Sequence, residues 1–383
     1  MAEQRPVRAT RRSEPGFTGR AFRRAVLVRV PAALVVFALL LAAVLGGLLR
    51  AGVALLPLPS TLALRLADSH GYLMISAWLG TAVSIERAVA LRKPWAWSAP
   101  AASISGGVSL LCGWRAPAAV LAVAAALALT LVSAVLVRRQ PALHTRLLML
   151  AALAWLAGNL LFLLQAPLAA VILCWFSFLL GTVAAERLEL TRVMRRPPWV
   201  EQLLLAALAL LPLAIVAALV NPDLGHGVFG VALLLLAAWL ARFDIARKTV
   251  RTTGLSAYMA WCLLLGYAWL AVAGMAWIAL ACGMAARDPA LHALGLGFVM
   301  SMVMGHAPVI VPAVSGVGVR FQRGFAVPLV LLQLSLLLRV AAPWLPDAWR
   351  GAGATGNALA LAVFLLTLAS SLRRRTVPAA RAG

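Results

Sequence analysis

The chain has 383 residues, of which 63% are hydrophobic and only 12% charged, and its mean hydropathy is +0.96. A soluble domain keeps roughly a quarter of its residues charged, so lipid rather than water is the solvent implied here. The formal net charge of +23 excludes less than it suggests: the basic residues sit in short loops between apolar runs, with no groove-reading module for nucleic acid.

An arginine-rich start, Arg5 to Arg29, runs directly into the first apolar stretch, and no cleaved signal peptide is expected. A helix crosses the hydrocarbon core with about 20 apolar residues. Uncharged stretches cover 30–49, 69–85, 94–114, 116–137, 147–185, 202–222, 224–241, 252–286, 289–319, 324–338 and 351–372. The stretch 147–185 holds two spans, with Gln165-Ala166-Pro167 as the turn between them, which makes twelve helices. The third, near 96–113, is rich in Ser and Gly; the second starts near Leu62, because Arg65 and Asp68 can reach the surface. The predicted fold is therefore all-α, a polytopic transmembrane helical bundle of about twelve helices. It forms one domain over 29–372, between a basic N-terminal tail (1–28) and a basic C-terminal tail (373–383).

Loop charge orients this bundle. Arg50, Arg65, Arg115, Arg287, Arg339 and Arg350 fall on one face, and the other 28 of the 34 Lys and Arg fall on the opposite face or in the tails. By the positive-inside rule both termini are cytoplasmic, and the expected location is a bacterial inner membrane. A short internal echo accompanies this pattern: Gly80-Thr81-Ala82-Val83-Ser84-Ile85-Glu86-Arg87 closes helix 2, and Gly181-Thr182-Val183-Ala184-Ala185-Glu186-Arg187 closes helix 6.

The four cysteines, Cys112, Cys174, Cys262 and Cys282, lack a CxxC pair and read as small buried hydrophobes. Five histidines remain as candidates for chemistry. At 1.5 Å per residue, His70 lies about 24 Å above Glu86, in the outer third of the core. Helix 10 opens on Asp288-Pro289, read as an N-cap and first helical position, which puts His292 about one turn below the outer surface. His70 and His292 are therefore level. Such a pair suits two axial imidazoles on one haem, although each could also simply hydrogen-bond a neighbouring helix. Arg65, above His70, could meet the haem propionates or snorkel to the surface. His306 lies about 21 Å deeper than His292 and within about 40° of the same helix face, so any metal it holds is a second site. His144 sits beside Arg138, Arg139 and Arg146 and reads as a solvated loop residue, while His226 is ambiguous. Gly295, Gly297 and Gly305 would admit a close helix or a flat ligand, and Pro308 and Pro312 would break or kink helix 10. Trp155, Trp175, Trp261, Trp269 and Trp277 read as packing or lipid-facing residues.

The stretch Leu265-Gly266-Tyr267-Ala268-Trp269-Leu270, followed by His292-Ala293-Leu294 with Gly297 and then Gly305-His306, resembles the NnrS family of haem- and copper-containing membrane proteins. His70 before Gly71-Tyr72-Leu73-Met74 looks like the family's histidine on the second helix. The resemblance implies haem binding, a role in tolerance of nitric oxide, redox or denitrification partners, and kinship with haem–copper oxidase subunit I, whose helices form three arcs of four. Where the family carries a His-x-His-Glu cluster, this chain has Asp68-Ser69-His70-Gly71, which counts against copper. On this reading His70, His292 and Arg65 bind haem, and His306 serves a second metal. With five histidines in all, the chain is not expected to work as a haem–copper oxidase. A transporter of a small or lipophilic solute and a cofactor-free assembly factor are the competing classes; midplane charges and broken helices, which transporters favour, are scarce.

Overall fold

The computed structural model describes residues 19–191, 197–346 and 348–373, and of residues 19–32 the helical backbone only. The N-terminal tail up to residue 18 and the C-terminal tail beyond residue 373 lie outside the described residues. In chain order the helices are α1 (Gly19–Arg50), α2 (Ser60–Leu91), α3 (Ser98–Leu111), α4 (Arg115–Arg139), α5 (Leu143–Leu163) and α6 (Leu168–Leu190). They continue as α7 (Pro198–Val220), α8 (Pro222–Phe243), α9 (Gly254–Ala281), α10 (Arg287–Ser315), α11 (Arg323–Trp344) and α12 (Ala348–Ser370). Eleven of these described helices are long and apolar enough to cross a membrane. The exception is α3, 14 residues long, in the Ser- and Gly-rich third stretch. The protein is an all-α, multi-pass membrane bundle: a helix closes all its backbone hydrogen bonds within its own segment, as a span in lipid requires.

Local chemistry sets the helix ends. Gln165 takes a positive φ of 56° between α5 and α6, at the turn expected inside the long stretch. Asn221 caps α8 through its side-chain oxygen, which accepts from the backbone N–H of Asp223 and Leu224, with Pro222 at the first position. Two expectations need correction. Asp288 does not cap α10; it lies within the first turn, where its carboxylate is held by other side chains. Of the break or kink expected at Pro308 and Pro312, the break is absent: the helix runs on to Ser315 and stops at Gly316, φ 75°. Pro308 has no N–H for the Met304 carbonyl, and the Tyr258 hydroxyl of α9 donates to that oxygen instead.

Helices that follow one another in sequence pack side by side, and α10 lies between α9 and α11. Where α8 crosses α9, a Cβ on Gly230 would stand 2.7 Å from the Gly274 carbonyl oxygen, so only glycines allow this approach. A buried polar knot ties four helices together. Asn159 (α5) accepts from Ser76 (α2) and Trp175 (α6) and donates to the Ala122 carbonyl (α4), while Trp155 donates to Ser76. Trp155, Trp175, Trp269 and Trp277 are buried and Trp261 is exposed. Cys174 and Cys262 are buried, but Cys112 and Cys282 are exposed near helix ends, so the expectation of buried cysteines holds for two of four.

Candidate functional site

The echoed ends of α2 and α6 meet in space. Arg87 bonds Glu186 at 2.7 Å and its own neighbour Glu86 at 3.2 Å, which aligns the two helices in parallel. Toward the other membrane face, α2 and α10 each carry a histidine, and each passes into a π-helical segment just beyond it, Leu73–Leu79 and Ala293–Met300. The extra residue in each π turn re-aims the side chains above it, and such turns gather at functional sites.

His70 and His292 come together here. Their ring centres are 6.3 Å apart and their planes differ by 20°. Nδ1 of His70 lies 2.7 Å from the Ala43 carbonyl oxygen, and Nδ1 of His292 lies 3.0 Å from the Asp288 carbonyl oxygen and 3.2 Å from its carboxylate. A carbonyl oxygen can only accept, so Nδ1 carries the proton in both rings and each Nε2 keeps its lone pair. Metal-binding histidines are oriented in this way, with one nitrogen tethered and the other presented. His70 and His292 would be the residues to hold a metal-centred cofactor here, each through the ring nitrogen that its tether leaves free.

Supporting side chains fix each ring. A Cβ on Gly47 of α1 would stand 2.7 Å from Cε1 of His70, so that glycine makes room for the ring. Arg339 of α11 donates from Nε and one Nη to the two carboxylate oxygens of Asp288, at 3.0 and 3.1 Å. The order Arg339, Asp288, His292 therefore runs from α11 into the site, and this fork-to-fork pair holds the carboxylate against the imidazole.

Both histidines line a cavity of about 360 Å³, within the size range of small-molecule sites. Its depth is apolar, with Leu48, Ile75, Phe162, Phe176, Leu296 and Leu361 among its walls, while Arg50, Arg287, Arg339 and Arg350 stand at its polar end. Gly71 and Gly295 line it beside the two histidines; a Cβ on Gly71 would meet nothing within 4 Å, and one on Gly295 only the Phe176 ring at 3.9 Å. The other two glycines of α10 serve packing instead: Gly297 seats Trp269 and Gly305 seats Cys262. A slot that is apolar, bare of Cβ atoms beside each histidine and cationic at one end has the chemistry to hold a flat macrocycle with an anionic edge.

The remaining candidates lie elsewhere. Arg65 is exposed, donates to the Leu111 carbonyl oxygen at 3.0 Å and rests over Gly113, outside the cavity lining. Nδ1 of His306 meets the Met302 carbonyl oxygen at 2.7 Å, and its Nε2 accepts from the buried Arg187 guanidinium at 2.9 Å. The nitrogen that a metal would need is therefore capped by a cation. His144 is not a solvated loop residue: it opens α5, is buried, and its Nε2 lies 3.7 Å from Glu189. His226 packs against the Trp277 ring at 5.2 Å. Among the described residues, no three His, Cys, Asp or Glu side chains converge to hold a metal ion; a haem iron needs only two protein ligands.

Sequence reasoning overlooked Ala43, Arg339 and the pairing of Asp288 with His292. The last carried a signal, since residues four apart share a helix face. The others depend on which helices are neighbours. Residues 29–373 match the family described as "Domain of unknown function (DUF8744)". No curated protein and no solved structure matches the chain.

Proposed function

The chain belongs to the DUF8744 family, and from its histidine pair we propose that it is an NnrS-like haem-binding protein of a bacterial inner membrane, with both termini cytoplasmic and a role in the response to nitric oxide. The observation that carries this reading is the relation of His70 to His292: ring centres 6.3 Å apart, both Nδ1 atoms tethered to carbonyl oxygens, and both residues lining one cavity. These two residues would be the axial ligands. Haem held by these residues would supply one-electron transfer and a site for small diatomic ligands. The chain's own contribution is to fix both rings in one tautomer, to keep the slot apolar and to place cations at its edge. The resemblance of helices 2, 9 and 10 to the NnrS family supports the nitric oxide link. Copper has weaker support, since the second nitrogen of His306 faces Arg187.

The test is an absorbance spectrum of the detergent-purified protein, as isolated and after addition of ferric haem. The expected spectrum is that of low-spin iron with two imidazole ligands, lost on His70→Ala or His292→Ala. Absence of any stoichiometric haem complex would reject the proposal and leave the transporter and assembly-factor readings in place.

A further inference from the structure

The face that carries the histidine pair is poor in charge, holding only Arg50, Arg65, Arg115, Arg287, Arg339 and Arg350 of the 34 basic residues. Four of those six line the one cavity described above. Arginines spread evenly along helix ends would snorkel to lipid headgroups; these converge instead. Arg339 is neutralised by Asp288. Among the described residues, Arg50, Arg287 and Arg350 form no ion pair. Arg350 donates to the backbone carbonyl oxygen of Arg50 at 3.3 Å, which draws the ends of α1 and α12 together at the mouth. Asp68 is the other carboxylate of the lining. Three unpaired guanidinium groups against that single carboxylate leave an excess of two positive charges beside an apolar slot.

Resting on the haem reading, we infer that Arg50, Arg287 and Arg350 form a recognition rim for a ligand edge bearing two carboxylates. The rim selects dicarboxylate porphyrins over neutral ones and sets the orientation in which the macrocycle enters. Arg65, which faces Gly113, takes no part. Guanidinium groups suit this task because each offers a fork of donors matched to a carboxylate.

The experiment titrates the full-length protein in detergent with ferric haem and, separately, with its dimethyl ester, in which both carboxylates are capped. Wild-type protein should bind haem at least about tenfold more tightly than the ester, the scale of one or two hydrogen bonds to a charged group. Combining Arg50→Gln with Arg350→Gln should erase that preference and leave ester affinity unchanged, and ester binding also reports that the variant is folded. Arg287→Gln alone should reduce the preference in part. Equal wild-type affinity for acid and ester would overturn the inference while the haem reading stood. Equal loss of both ligands in the variants would also overturn it, by making the arginines structural. If neither ligand binds wild-type protein, the haem reading itself fails. Displacement of haem by phosphatidylglycerol micelles, abolished in the double variant, would make the rim a headgroup site and overturn the inference.

Discussion

His70 and His292 stand on helices from opposite halves of the chain, yet their rings are nearly parallel with centres 6.3 Å apart. Neither Nδ1 is available to the other ring, because Ala43 and Asp288 occupy them. Both residues line the space that Gly71 and Gly295 also border. The cost of placing two imidazoles there is offset by hydrogen bonds on one nitrogen each, and the unused pair of nitrogens is what a buried ligand would meet.

Truncating either ring is the direct check. His70→Ala and His292→Ala should each abolish the low-spin spectrum while the protein still purifies as a folded species, since the polar knot around Asn159 is untouched. His144→Ala should keep the spectrum, because that ring meets Glu189 and not the cavity. A spectrum that survives both single substitutions would reject the pairing.

The carboxylate of Asp288 should tune the site through His292. Asp288→Asn removes the negative charge next to the imidazole and leaves Arg339 without its partner. Changes to such supporting residues cost about 10–100-fold in metal affinity. Loss of the anion also disfavours ferric iron, so the haem reduction potential should rise. A redox titration showing no change, with affinity intact, would mean that Asp288 serves the helix and not the site.

The cavity glycines and the packing glycines of α10 should separate cleanly. Gly295→Leu places its side chain in the cavity and should block haem while leaving the protein stable, since alanine or leucine is favoured over glycine in a helix by up to about 1 kcal/mol. Gly297→Leu drives a Cβ to 2.5 Å from Trp269 and should lower thermal stability. Unfolding curves and haem titrations on the two variants distinguish these outcomes.

Much of this was legible in the sequence because one physical constraint dominates it. In lipid an unbroken apolar run of about 20 residues is long enough to span only as a helix, so apolar length gives the helices directly, and the rise per residue places His70 and His292 at one depth. Lateral neighbours are another matter. Nothing in the hydropathy of α11 says that Arg339 faces Asp288 of α10, and nothing in α1 says that Ala43 meets His70. Arg65 is near His70 in sequence, yet that proximity says nothing of which way a helix turns. His144 is hidden for a similar reason: the basic residues around it suggest a loop, but α5 begins at Leu143 and His144 is buried.

The last prediction concerns His306, which the sequence offers as a second metal ligand. Its ring is in the same tautomer as the other two, with Nδ1 donating to the Met302 carbonyl oxygen, but its Nε2 accepts from Arg187. Arg187 is only 3% exposed, and a guanidinium has no acceptor capacity of its own, so His306 satisfies a buried charge. A metal ion there would sit against a cation, and charges of one sign at such a distance repel strongly in a low-dielectric interior. His306→Ala should therefore leave haem content and spectrum unchanged and alter no copper content, while it destabilises the fold by about 1–3 kcal/mol through the loss of one partner of the buried guanidinium. His306→Gln, whose side-chain oxygen can accept from Arg187, should recover most of that loss. With Nε2 of His306 engaged, no third histidine is poised beside His70 and His292, and protein loaded with haem and given excess reductant should show no cyanide-sensitive oxygen consumption above free haem. Metal analysis, thermal unfolding and an oxygen electrode on the two variants check each part. Loss of bound copper in His306→Ala, with stability unchanged, would return His306 to the metal and remove it from the fold.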